Sequence, residues 1–280
     1  MKTFINEICK EEGILMESFS YGDYVLRLTK NGVSHNIYGA FWDINSAASD
    51  RIACDKTACY ILLENNKIPA IVHEILFNPL RRIGWAGENG AWALASAFLK
   101  QHKKVVLKPN QGTMGQDIHL CNSIPELEAA AHAIFLNYPD AALSPYKEIT
   151  NEYRVFFLNG KCHFVYGKEK CSSWQHNLSQ GAKAFEINDQ EKTTKIKSLA
   201  TRAADCIGIT FATIDIAESP SGELTIMEIN SGVQARQLLE QLPHLRPIIK
   251  NIFLEAIKLL FCPQIKSHQD GQSHGKTWLP

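Results

Sequence analysis

Two short runs near the C-terminal end constrain this chain more than any other feature. Residues 211–217 and 224–229 each read as a strand, and Ser219-Pro220-Ser221-Gly222 between them reads as a turn, so the pair predicts an antiparallel hairpin. Taking those four residues as the loop sets Glu218 against Glu223 and Asp215 against Ile226. Opposed residues share a sheet face, as do positions two apart. Asp215, Glu228 and Asn230 therefore project from one side, while Ile214, Ile216, Met227 and Ile229 project from the other. One face suits a core and the other carries three oxygen donors. Two carboxylates held that close repel each other and need a cation. Hard oxygen donors in small number suit Mg²⁺, which keeps water and phosphate oxygens in its other positions. The alternative is an ordinary solvent-facing hairpin surface.

A metal of that type normally arrives with a nucleotide, which directs attention to Lys108-Pro109-Asn110-Gln111-Gly112-Thr113-Met114-Gly115 after a short strand at 104–107. Its glycines let backbone N–H groups approach an anion, and Lys108 supplies charge. The run matches neither the P-loop nor the dinucleotide fingerprint, and a plain turn is the other reading. Other elements follow from periodicity: helices near 4–12, 49–65, 91–101, 126–136, 193–207 and 247–260, a strand pair about Asn31-Gly32, and a hairpin of 153–158 with 161–166 about Asn159-Gly160. Lys56 falls inside the helix predicted over 49–65, where a lysine is ordinarily solvated. This mixture of helices and hairpins is α/β or α+β.

Lysine plus arginine and aspartate plus glutamate both number 29, so no net field draws the chain to a polyanion, and nucleic acid and anionic membrane are not expected partners. No apolar run approaches the ~20 residues that cross a bilayer. Residues 1–10 are too polar for a signal-peptide core, and the expected location is the cytoplasm. Eight cysteines form no Cys-x-x-Cys pair, and ten histidines show neither His-x-x-x-His nor His-Glu-x-x-His; both sets read as core or surface residues.

In chain order, Ala53-Cys54-Asp55-Lys56 with Lys67-Ile68-Pro69, the 105–115 run, Asn151-Glu152-Tyr153-Arg154-Val155, Asn177-Leu178-Ser179-Gln180-Gly181, Asp215 and Glu228-Ile229-Asn230 resemble the ATP-grasp superfamily. Within it the chain is similar to carboxylate-amine ligases of the cyanophycin synthetase, bifunctional glutathione synthetase and ribosomal-protein glutamate ligase type, over about residues 5–260. The resemblance implies an ATP-grasp fold with a shortened N-terminal subdomain and linking helix (1–78), a central subdomain (79–146), a C-terminal subdomain with the metal site (147–265) and a loose tail (266–280).

It further implies that Lys56 and Lys108 reach the α- and β-phosphates while the loop 111–116, with Gly112 and Gly115, closes over the triphosphate. Tyr146 and Lys147 lie in a hinge beside adenine, and Glu152 holds the ribose. Arg154 and Asn177 face the transferred phosphate or the acyl phosphate. Asp215, Glu228 and Asn230 hold one or two Mg²⁺, with Mn²⁺ as a substitute. The implied reaction is ATP-dependent formation of an amide or peptide bond between an amino-acid or peptide carboxylate and an amine, through an acyl phosphate. A kinase acting on a small-molecule hydroxyl and a non-catalytic ATP-binding regulator remain as alternatives, and analogy leaves a homodimer open. Ser179-Gln180-Gly181-Ala182 and Ser231-Gly232-Val233 depart from the family pattern by lacking a basic residue and Pro-Gly respectively, and Arg236 stands where it can replace a missing charge.

Overall fold

The computed structural model describes residues 2–79, 81, 90–112, 115–169, 178 and 181–262. It is built on three antiparallel sheets that follow one another along the chain. In the first, β1 (Leu15–Ser18), β2 (Val25–Lys30), β3 (Val33–Tyr38) and β4 (Phe41–Trp42) pair in sequence order beneath α1 (Lys2–Glu11). Asn31 and Gly32 both take positive φ, 51° and 80°, as a two-residue hairpin turn demands. Leu26, Leu28 and Ile37 alternate onto the buried side, where Trp42 joins them.

The single helix predicted over 49–65 is two helices, α2 (Ala47–Cys54) and α3 (Lys56–Asn65). Asp55 breaks the run in an extended conformation, and its side chain accepts from the Ala58 N–H at 2.9 Å to cap α3. Ser46 caps α2, its side chain accepting from the Ser49 N–H. Periodicity alone could not see the break, because the apolar spacing runs through it. The chain then crosses the edge of the third sheet, with Ile71 N–H bonded to Ile226 C=O and Ile226 N–H to Pro69 C=O.

The second sheet has the order β5 (Glu74–Phe77), β8 (Asp140–Pro145), β6 (Val105–Pro109), β7 (His119–Cys121). Leu76, Val105, Leu107, Ala141 and Leu143 face α4 (Gly90–His102) and α5 (Ile124–Asn137). The other side, with Ile75, Val106, Lys108, Ala142 and Ser144, has no helix layer in that cluster and forms one wall of a cleft.

The third sheet has the order β11 (Ala184–Glu186), β10 (Lys161–Lys168), β9 (Asn151–Leu158), β12 (Phe211–Glu218), β13 (Leu224–Asn230). One face, with Tyr153, Val155, Phe157, Ile214, Ile216, Ile226 and Ile229, packs on α3 and on α6 (Gln190–Ile207), which Gly208 ends in the left-handed conformation. The opposite face divides along its strands. Phe156, Leu158, Tyr166 and Phe211 pack into the core under the first sheet, while Glu152, Arg154, Lys168, Asp215 and Glu228 continue the same face beyond the apolar zone. After α7 (Arg236–Gln241), α8 (Arg246–Phe261) returns to the first sheet, burying Ile249, Ile252, Phe253, Ala256, Ile257 and Leu260 there. Ion pairs Glu7–Arg246 and Glu11–Lys250, both 2.7 Å, join α1 to α8. Among the described residues no helix is long and apolar enough to cross a membrane; the tail beyond residue 262 lies outside them.

Gly167 on β10 pairs with Phe185 on β11, and a Cβ built there would stand 2.1 Å from the ring. Gly167→Ala is expected to cost about 1–3 kcal/mol by overpacking, read as a lower denaturant midpoint at unchanged slope. A midpoint equal to the parent's would show that the ring swings aside freely.

Candidate active site

The break at Asp55 brings Lys56 to the first turn of α3, and Asn110 fixes it there. Asn110 C=O accepts from the Lys56 N–H at 3.2 Å, and its Oδ1 accepts from both the N–H and hydroxyl of Thr57, each at 3.1 Å. The phosphate-loop candidate is thereby tied to the helix. Lys56 Nζ donates to Gly112 C=O at 2.8 Å and lies 4.0 Å from a Glu228 oxygen. Gly112 is required by space, since a Cβ would meet Pro109 Cβ at 2.8 Å, and Gly115 by its φ of 69°. Lys108, on the cleft wall, has no hydrogen-bond or ion-pair partner among the described residues and keeps only partial solvent contact. Burial, then Lys56, push its ammonium down to about 8, against the pull of Glu228 and Glu152.

The third sheet supplies the opposite wall. Tyr166, Arg154, Asp215 and Glu228 stand abreast on four adjacent strands, and Lys168, Glu152, Ala217 and Thr225 form the next row. The predicted register is corrected here. The turn is one residue longer than four, pairing Glu218 with Leu224, and a bulge at Met227 adds one more, so Asp215 faces Glu228 rather than Ile226. Each one-residue slip alone would reverse the faces; together they restore them. Asp215, Glu228 and Asn230 do share a side, and Ile226, not Met227, turns into the core.

Asp215 is nearly fully buried and accepts four hydrogen bonds. Arg154 donates Nε to Oδ1 at 2.6 Å and Nη2 to Oδ2 at 2.5 Å, Lys168 donates to Oδ1 at 3.2 Å, and Asn230 donates to Oδ2 at 3.3 Å. Burial alone would raise its pKa, but Arg154 and Lys168 overcome that and hold it well below the carboxylate range. Lys168 also bonds Glu152 Oε1. Burial pushes the Glu152 carboxyl up, Lys168 pulls it back, and Asp215 adds to the rise. Lys168 is the residue the sequence reading missed. Its signal was the hairpin about Asn159-Gly160: extending the predicted strand from 166 by two residues brings a lysine level with Glu152.

Tyr146, in the segment 144–147 expected to form the hinge, has its N–H bonded to Lys104 C=O at 2.9 Å, with Lys104 Nζ 4.0 Å from its ring centre; Lys147 is exposed. Asn177, Ser179 and Gln180, and Thr113 and Met114 of the 111–116 loop, lie outside the described residues. Arg236 pairs with Glu240 on the surface. Among the described residues no three His, Cys, Asp or Glu side chains cluster as a metal-ligand set. The donor chemistry still fits a hard divalent ion: Glu228 is partly open, and Asn230, whose amide nitrogen is spent on Asp215 and Glu228, has its Oδ1 left to offer.

Residues 96–237 match the family described as ATP-grasp domain, R2K clade family 3. Uncharacterized protein MG011 of Mycoplasma genitalium is 28% identical over 187 residues, 63% of this chain and 62% of that protein. The tetrahydromethanopterin:alpha-L-glutamate ligase of Methanocaldococcus jannaschii is 25% identical over 146 residues, 49% of this chain and 48% of that one. The chain thus spans less than two thirds of the length of these curated relatives. Among solved structures, the D-alanine–D-alanine ligase of Bacillus anthracis superposes with a TM-score of 0.59 at 13% identity, covering 77% of this chain and 71% of that one. The three-sheet architecture and the match over half the sequence place the chain in the ATP-grasp family, R2K clade family 3.

Proposed function

We propose that this protein is an ATP-dependent ligase that joins an amino-acid or small-peptide carboxylate to an amine through an acyl phosphate. The observation that carries the reading is the pair of lysines: Lys108 is a half-buried cation with no hydrogen-bond or ion-pair partner among the described residues, repelled by Lys56 on the facing helix. Such a pair awaits a polyanion. A triphosphate laid between the walls answers both charges and faces the Arg154–Lys168 cluster. That one relative is named for ligating L-glutamate supports an amino acid as one substrate.

A carboxylate is a poor electrophile, and phosphorylation makes it a good one. In this reading Lys56 and Lys108 hold the α- and β-phosphates, the 111–116 loop covers them, Tyr146 and Lys147 flank the base, and Glu152 reaches the ribose with the oxygen that Lys168 leaves. Arg154, with Asn177, stands by the transferred phosphoryl group and the oxyanion that forms when the amine attacks. Glu228 and Asn230 would hold Mg²⁺, which supplies charge neutralisation on the phosphate oxygens. Asp215 has its four lone-pair directions taken, so it joins the metal only by exchanging one of its donors. The three chain regions 1–78, 79–146 and 147–265 act here as base, upper wall and lower wall.

Glu228→Gln is expected to lower ADP release by two to three powers of ten while leaving the melting temperature within a degree or two, since the side chain is partly exposed. Incubation of the parent with ATP, Mg²⁺, amino acids and hydroxylamine should yield a hydroxamate. A phosphorylated product stable to hydroxylamine, or full activity in the variant, would remove this reading.

A further inference from the structure

The outer face of the first sheet takes no part in the cleft. Leu26, Leu28 and Ile37 turn inward to the core that α1 and α8 share, so register puts Glu17, Arg27 and Asn36 in a row across the opposite side of β1, β2 and β3. Leu15 and Thr29 flank that row at one end of the strands. Val25 and Tyr38 flank it at the other, with Phe19 level with them through its N–H to Val25 C=O at 3.0 Å. Exposed apolar side chains scattered singly are ordinary, but here they gather: Leu15 is 59% exposed, Phe19 57%, Tyr24 51% and Tyr38 56%, and Tyr21 in the turn between β1 and β2 is fully exposed. The Tyr24 and Tyr38 rings meet edge to face at 4.6 Å, and the Arg27 guanidinium lies 5.1 Å from the centre of the Phe19 ring. At about 150–250 Å² per aromatic side chain, the open parts of the four rings come to roughly 500 Å². That is the size of an interaction surface.

The charged row says what fits against it. Glu17 and Arg27 stand directly opposite each other, near enough to pair, yet they form no ion pair: Arg27 Nε donates to Asn36 Oδ1 at 3.2 Å, and the Glu17 carboxylate has no partner among the described residues. A face with one acid and one base side by side at its centre is complementary to itself. Two copies laid face to face about a two-fold axis parallel to the strands, midway between β1 and β2, bring each Glu17 over the other copy's Arg27. The same axis sets Leu15 over Thr29 and Phe19 over Val25. An axis over β2 would press Arg27 on Arg27, and one between β2 and β3 would leave Glu17, Leu15 and Phe19 outside the overlap. The favoured axis also carries β3 past the other copy's β1, so that Tyr24 and Tyr38 overhang the open edge of the sheet.

We propose that the outer face of the first sheet is a self-association surface whose partner is a second copy of this chain, with Glu17 and Arg27 paired reciprocally across the two-fold axis. Aromatic rings and arginine are the side chains that interface centres favour. The rings together with the charged row approach the ~800 Å² per partner of a standard contact, so the dimer is reversible, with a Kd of about 1–100 μM. The surface is remote in role from the nucleotide cleft, and it stands whether or not the proposed reaction does.

Sedimentation of the full chain over a range of micromolar concentrations tests it. The 31.4 kDa species should give way to one of twice that mass. Arg27→Glu sets acid against acid at both contacts and should weaken association by about tenfold or more, and Glu17→Arg should do the same from the other side. Combining the two exchanges the charges and keeps the pairing, so the double variant should recover most of the parent's affinity. Both positions are exposed, and all three variants should melt within about a degree or two of the parent. A parent that stays monomeric up to about 1 mM, single variants that associate as tightly as the parent, or a double variant as weak as the singles would overturn the assignment. So would a monomeric parent that dimerises only when cut after Cys262, which would give the face to the chain's own residues 263–280.

Discussion

Asp215→Asn is expected to destabilise the protein by about 3–5 kcal/mol and to abolish turnover, and the first effect should exceed what loss of a metal ligand explains. The reason is its buried surroundings. Arg154 and Lys168 both lean on this carboxylate, and Lys168 is 4% exposed in its side chain. Neutralising Asp215 leaves Glu152 as the only other carboxylate that Lys168 touches within the described residues, and leaves Arg154 without its two-pronged partner. Chemical denaturation reads the loss directly. Adding Lys168→Met to Asp215→Asn removes one stranded cation and should recover part of the stability, because residues in one charge network do not act additively. A midpoint for Asp215→Asn equal to that of Glu228→Gln would show that the cluster is not holding the sheet together.

Lys108→Met should move activity and stability in opposite directions. Loss of the cation proposed to meet the phosphates is expected to lower turnover by two to three powers of ten, while the ligand-free protein gains about 1 kcal/mol, or ~2–4 °C in melting temperature for a chain of this size, from relief of a charge with no partner among the described residues. The pH dependence has a definite sign. The ammonium titrates near 8 in the fold against 10.5 ordinarily. Below pH 8 both folded and unfolded chains carry the proton and the cost is fully present. Between about 8 and 10.5 the unfolded chain binds more proton, so stability gains as pH rises through that window. A polyanion beside Lys108 raises its pKa, so nucleotide binding near pH 8 to 9 should take up a proton. Calorimetry in buffers of different ionisation enthalpy measures that uptake, and it should vanish in Lys108→Met. Equal uptake in the variant would assign the proton to another group.

The C-terminal hairpin was legible because alternation survives small errors of register. Its turn and its bulge were each off by one residue, yet side-chain parity depends only on their sum. The helix over 49–65 was misread for the complementary reason: apolar period is blind to a single extended residue, and only the capping potential of Asp55 marked the break. Lys168 was invisible in the sequence because it gains meaning only from a neighbour far along the chain, Asp215. Asn110 was quoted as part of a phosphate loop, but its position at the start of α3 shows that it also sets where Lys56 points.

The docking of α8 onto α1 and the first sheet bears on how the protein is made. Leu26, Leu28, Ile37 and Trp42 emerge from the ribosome more than two hundred residues before the helix that covers them. At about 5–20 residues per second that surface stays uncovered for on the order of ten seconds or longer. Nascent chains therefore carry a greasy, half-built sheet through most of translation, a natural landing place for a holdase, and stop codons placed before residue 246 should yield insoluble product even though both walls of the cleft are already encoded.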